Sequence, residues 1–179
     1  MTYRSPTYAL LLLLVLLPAC REAGCKDPDA ANYQAGADVH DGFCVYRYLL
    51  RVTLREADLQ RSESPSWDAP NALPLRFPAE QYPDLRFDLR RRAEGPWTFQ
   101  TPTEFDCTSL PVAWEMYGNR SEFLRLHEEY QYRLVDEDER GLQVMHEGTF
   151  VPAQVLQDNQ ITLRSADGRT LIELDFIVR

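Results

Sequence analysis

The chain has 179 residues, 28 acidic against 19 basic side chains, and a formal net charge of −9. That length suits one domain of ordinary size with a short appendage. The acidic balance excludes general nucleic-acid binding, which needs a basic face to displace counterions.

Arg4 is the only charge before residue 20, and an apolar run from Ala9 to Leu17 follows it. Such a run falls far short of the roughly 20 residues that span a bilayer as a helix. A basic start, a short greasy core and small residues before a cleavage point read as a secretory signal peptide over residues 1–19. Leu17-Pro18-Ala19-Cys20 resembles the lipobox of bacterial lipoproteins. The resemblance implies that Cys20 becomes the first mature residue and carries a diacylglyceryl thioether and an N-acyl group. Arg21 and Glu22 include no inner-membrane retention Asp, which implies an outer-membrane lipoprotein on the periplasmic face or the cell surface. The other reading is an ordinary cleaved signal followed by an incidental cysteine. With so acidic a chain, acyl burial at about 0.8 kcal/mol per CH₂ holds the membrane, and charge does not.

Residues 20–44 form a spacer whose Cys25 and Cys44 bracket a polar stretch with almost no aliphatic content. In an exported chain such a pair is an expected disulfide, stabilising a loop of this length by about 3 kcal/mol. Asp27-Pro28 and Asp41-Gly42 are turn signals. Gly24-Cys25-x-Asp27-Pro28-x-Ala30-x-Asn32-Tyr33 and Ala37-x-x-x-Asp41-Gly42-x-Cys44-x-Tyr46 closely resemble a short cysteine-stapled motif of exported Bacteroidetes proteins. That motif usually has Ser where this chain has Phe43, and it often sits beside other domains as a spacer. Asp27, Asp29, Asp38 and Asp41 either form turns or offer oxygens to calcium.

From residue 45 to residue 179 a period of two dominates. Tyr46, Tyr48, Leu50, Val52 and Leu54 share one face, with Arg47, Arg51 and Thr53 opposite. Leu85, Phe87 and Leu89 alternate with Arg86, Asp88 and Arg90. Short strands follow at Trp97–Phe99 and Val112–Met116, and then Tyr130, Tyr132 and Leu134 alternate with Gln131 and Arg133. Leu142–Val151 is mixed, with a bulge or bend expected near Gly148. Ile161 and Leu163 precede an Ala166-Asp167-Gly168 turn, and a largely apolar strand from Ile172 to Val178, expected to be central, closes the chain. These eight strands predict an all-β, antiparallel β-sandwich. Residues 58–83 form a long connection of the kind that is functional or disordered, and residues 118–129 a charged one.

The arrangement resembles the C2 domain, the eight-stranded sandwich known for calcium and phospholipid binding. The residues that carry the likeness come in order: Ala57-Asp58-Leu59, Ser66-Trp67-Asp68, Pro83-Asp84-Leu85-Arg86-Phe87, Leu110-Pro111-Val112-Ala113-Trp114 and Tyr132 to Asp138, ending Asp136-Glu137-Asp138. The resemblance implies that Asp68 and Asp84 from the first long loop meet Asp136 and Asp138 from the loop after the Tyr130 strand. Those four carboxylates are the expected calcium ligands, since calcium takes six to eight oxygens. Glu137 and Glu139 face outward, and Gly141 to Val144 lacks the family's further acidic position. The alternative to a calcium site is a solvated acidic turn.

Enzymatic readings find little to stand on. His40, His127 and His146 form no H-E-x-x-H motif, and no G-x-S-x-G nucleophile turn is present. Cys107 is either a packed free thiol or a catalytic thiolate, and Arg90-Arg91-Arg92 either a charged strand end or a grip for a polyanion. The sequence therefore predicts a leader (1–19), a lipidated, stapled spacer (20–44) and a C2-like sandwich (45–179). The sandwich acts as a non-enzymatic binding module, possible partners being protein or lipid at its loops; the runner-up is an ion-free structural subunit of an envelope complex. Cys20→Ala should release the protein from membranes into the soluble envelope fraction; a variant that still pellets with membranes contradicts the lipid anchor.

Overall fold

The structure, a computed structural model, describes residues 21–59, 82–92, 95–116, 123–138 and 141–179, apart from the side chain of Asp138. The sandwich strands are β3 (Arg47–Glu56), β4 (Leu85–Arg91), β5 (Phe99–Gln100), β6 (Val112–Glu115), β7 (Tyr130–Asp138), β8 (Gly141–Phe150), β9 (Leu156–Gln157), β10 (Gln160–Arg164) and β11 (Leu171–Val178). The single helical turn α1 (Pro152–Val155) precedes β9. One sheet has the order β6-β3-β11-β10-β9 and the other β5-β4-β7-β8. All pairings within them are antiparallel. The eight expected strands are all present, and the two-residue β9 joins them as a ninth.

Alternation puts one face of each sheet into a shared core. Val52, Leu54, Ile161, Ile172 and Leu174 from the larger sheet meet Leu85, Phe87, Tyr132, Leu134 and Phe150 from the smaller. Each fully buried side chain of this kind contributes about 1.5–3 kcal/mol, so these pairs fix the register of both sheets. β11 lies between β3 and β10, which explains its apolar composition.

Among the described residues three register shifts interrupt the ladders, at Leu50 and Arg55 of β3 and at Met145 of β8. β11 pairs Asp175 with Arg51 but Phe176 with Leu49, which leaves Leu50 as an extra residue on β3. Upstream of it the phase inverts: Leu49 is buried, and Tyr48 lies on the outer side against Phe123 and under the Arg179 guanidinium. Tyr48 and Leu50 therefore do not share the face of Val52 and Leu54. In β8 the irregularity falls at Met145, between the Leu134–His146 and Val135–Val144 pairs. Gly148 serves a different purpose. It stands opposite Tyr132, and a Cβ there would come 2.8 Å from the phenol oxygen. The tyrosine hydroxyl is thereby free to reach His146 Nε2 at 3.0 Å.

The stapled segment is built as the cysteine spacing implies, with a Cys25–Cys44 disulfide. β1 (Ala23–Gly24) and β2 (Val39–His40) pair in parallel beside it. Its aspartates fasten it to the sandwich. Asp27 accepts the Tyr46 hydroxyl at 2.8 Å and the Asp29 amide at 3.0 Å. These two bonds, the backbone one foremost, hold its carboxyl below the ordinary range. Asp29 accepts the Leu126 amide at 2.8 Å and pairs with Arg125 at 3.4 Å. Tyr46 exchanges two backbone hydrogen bonds with Arg179, and its ring packs on Phe123. The segment thus sits at the end of the sandwich where β3 and β7 begin and β11 finishes.

The burial of His146 makes stability depend on pH. Burial depresses the His146 pKa, against smaller opposing effects of Asp167 and Glu147. A histidine that resists protonation when folded supports the fold fully above its unfolded pKa of about 6.5 and loses that support as pH falls below it. Urea midpoints should therefore decline on acidification below about pH 6.5, and His146→Gln should flatten that part of the profile. An unchanged slope in the variant contradicts the assignment.

Candidate functional site

At the opposite end of the sandwich β4 begins and β7 finishes, with Leu85 paired to Asp136. Asp136 alternates with Leu134 and Tyr132, so its side chain points between the sheets, where it is fully buried (0 % exposed). Its Oδ1 accepts the Asp84 amide at 2.8 Å. The Asp84 carbonyl in turn accepts the Glu137 amide at 2.9 Å, and Asp84 Oδ1 accepts the Asp106 amide at 2.8 Å. Asp84, just before β4, and Asp136, on β7, thus meet through the Asp84 backbone, and each carboxylate positions a backbone amide. A carboxylate has about four lone-pair sites, so holding an amide is compatible with holding a cation as well.

A third segment completes this end. Residues 101–107 run beside β4: Thr101 donates its amide to Phe87, Leu85 and Glu104 exchange two backbone bonds, and Cys107 donates to Pro83 at 3.0 Å. This course leaves Phe105 70 % exposed beside Asp106 and borders a cleft of about 300 Å³ lined by Phe105, Cys107, Ser109 and Pro111 among others. Cys107 itself is a buried free thiol that contacts the Ser109 carbonyl at 3.4 Å. Burial pushes its pKa up, the wrong direction for a nucleophile. Glu137 faces the outer side, as expected. It accepts the Thr103 hydroxyl at 2.7 Å and pairs with Arg86, and these contacts, Thr103 first, hold its carboxyl below the ordinary range.

Of the expected calcium ligands, the fold brings Asp84 and Asp136 together. Asp138 ends β7 opposite Gly141, its side chain outside the described residues, and Asp68 lies wholly outside them. Cys20 lies outside them too. Among the described residues the three-donor cluster of His, Cys, Asp and Glu groups is Cys25, His40 and Cys44, and its two sulfurs are consumed in the disulfide. In the spacer, Asp38 accepts the Glu22 amide and Asp41 the Phe43 amide; with the docking bonds of Asp27 and Asp29, all four aspartates have structural roles there.

The outer face of the smaller sheet holds a group that period-two reading treats as solvated. Asp88 is completely buried. It takes Arg86 Nε at 2.9 Å, Arg133 Nε and a second Arg133 nitrogen each at 2.7 Å, and Gln100 Nε2 at 3.2 Å. Trp97 covers the cluster, with the Arg133 and Arg90 guanidinium carbons 4.2 and 4.3 Å from its ring centroid. Arg90 also reaches Gln131 and the Gly95 carbonyl, and Arg91 and Arg92 pair with Glu128. The arginine run is therefore paired within the fold, as a charged strand end.

No family model matches the sequence, and no curated protein does. Among solved structures, human GIVD cytosolic phospholipase A2 is similar at 14 % identity and a TM-score of 0.45, over 74 % of this chain and 16 % of that one. The chain thus spans about a sixth of the length of that protein. A C2 domain of plant extended synaptotagmin 1 is similar at 11 % identity and a TM-score of 0.45, over 75 % of this chain and 92 % of that one. Overlays this loose fix no residue correspondence. The sandwich assignment rests on strand order and the shared core.

Removing Asp88 would leave two arginines, 11 % and 17 % exposed, without their shared counter-ion. Asp88→Ala should therefore cost about 3–5 kcal/mol in urea unfolding. Asp175→Ala, which breaks the more exposed pair with Arg51, should cost less than about 1 kcal/mol. Equal costs contradict the buried network.

Proposed function

We propose that the chain is a lipid-anchored envelope lipoprotein whose C2-like sandwich is a non-enzymatic, calcium-dependent binding module. Leu17-Pro18-Ala19-Cys20 supports the anchor in the outer membrane. The observation that carries the binding reading is the contact of Asp84, through its amide, with the buried Asp136 carboxylate at one end of the sandwich. Asp68 and Asp138 are the further ligands that the C2 resemblance assigns to this end. Calcium is a hard cation that gathers carboxylate oxygens, and bound here it would offset the charge of the pair and present a positive point to an anionic group. Phe105 stands exposed beside it as an apolar contact for a protein or lipid partner.

A second reading has its own observation. The oxygens of Asp84 and Asp136 already organise the Asp106 and Asp84 amides, so the pair is also suited to fastening this end of the sandwich without an ion. That matches a structural subunit of an envelope complex. Calcium titration separates the two. An ion bound only by the folded state adds about 2.7 kcal/mol at a hundredfold excess over Kd, and Asp136→Asn, which keeps the shape and an acceptor for the Asp84 amide, should lose most of that gain. If millimolar calcium and chelator both leave the wild-type Tm unmoved, the ion-free reading takes over.

A further inference from the structure

We infer that the stapled segment is itself a membrane-contact surface, with Phe43 lodged in the headgroup region of the bilayer that holds the anchor. This rests on the reading of Cys20 as lipidated. The first link is tether length. Only Arg21 and Glu22 separate Cys20 from β1. At about 3.3–3.6 Å per residue the start of β1 then lies within about 10 Å of the lipidated residue. The polar layer of a leaflet is roughly 5–8 Å deep. A folded segment held so closely has no room to stand clear of the surface.

The second link is what surrounds the point of attachment. Val39, 42 % exposed, is the Cα partner of Ala23. Tyr33, 48 % exposed, bridges to Cys25. Phe43, 79 % exposed, precedes the cysteine that is bonded to Cys25. Three exposed apolar side chains are thus each one contact away from the stretch at which the tether arrives. Phe43 is also fixed in place: its amide donates to Asp41 Oδ1 at 2.8 Å, and its carbonyl accepts Asn32 Nδ2 at 2.7 Å. A held backbone with an exposed ring loses little entropy on entering an interface.

The third link is charge. In residues 21–44 Glu22, Asp27, Asp29, Asp38 and Asp41 outnumber Arg21 and Lys26. The contact is therefore apolar rather than electrostatic, fits zwitterionic headgroups such as phosphatidylethanolamine, and should withstand high salt.

The test uses full-length protein, processed in cells and reconstituted into phosphatidylethanolamine/phosphatidylcholine vesicles. A photoreactive benzophenone analogue replaces Phe43 or, as a control, Asp167, which lies in the β10–β11 turn at the other end of β11 from Tyr46 and Arg179. Mass spectrometry of the N-terminal peptide is read alongside. The expected result is acylated Cys20, lipid adducts from position 43 in low and in molar salt, and none from position 167. Acylated protein without adducts from position 43, or with equal adducts from both positions, overturns this inference and leaves the anchor standing. An unacylated Cys20 overturns the anchor reading and this inference with it.

Discussion

One buried carboxylate organises the end of the sandwich where β4 begins and β7 finishes. Asp136 occupies a position that alternation reserves for apolar side chains, between two sheets and shielded from water. A charge placed there is costly unless hydrogen bonds or a cation answer it. The Asp84 amide is one such answer, and it ties the entry of β4 to the exit of β7. Around that tie, residues 101–107 run along β4, Phe105 stands exposed, and Glu137 lies on the outer face with Arg86.

The same strands set the geometry of the whole molecule. The stapled segment is fastened through Asp27 and Asp29 to Tyr46, Arg125 and Leu126, at the end where β7 starts. Asp136 lies six residues along β7 from Tyr130, about 20 Å at strand rise. Were the stapled segment to rest on a membrane as inferred above, the acidic end would be held away from that bilayer. On the proposed reading, a partner at Asp84 and Asp136 is then met across the envelope space, as a soluble protein or an opposing surface.

Much of this was legible in the sequence because a half-buried strand must alternate. Phe87, Leu134, Ile172 and their neighbours announce themselves, and the disulfide follows from two cysteines around a segment that cannot build a core. A bulge leaves no such trace. One extra residue at Leu50 inverts the faces upstream, and nothing in Tyr46 to Leu54 distinguishes it from an unbroken strand. The burial of Asp88 was hidden for another reason. Its cover is Trp97, a residue outside its own strand, and its partners Arg86 and Arg133 read as solvent-facing until the sheet is assembled. The docking roles of Asp27 and Asp29 were equally invisible, since an aspartate in a turn looks the same whether it caps its own loop or holds another segment. The four candidate ion ligands came only from resemblance to a known order of motifs, and the structure adds the hydrogen bond from the Asp84 amide to Asp136.

The central claim is that this carboxylate pair belongs to an ion site. A crystal structure grown in millimolar calcium tests it most directly. The account predicts an ion held by carboxylate oxygens of both Asp84 and Asp136 at 2.3–2.6 Å, the distances usual for calcium. A well-ordered end with no ion, and the Asp84 amide still seated on Asp136, would contradict it.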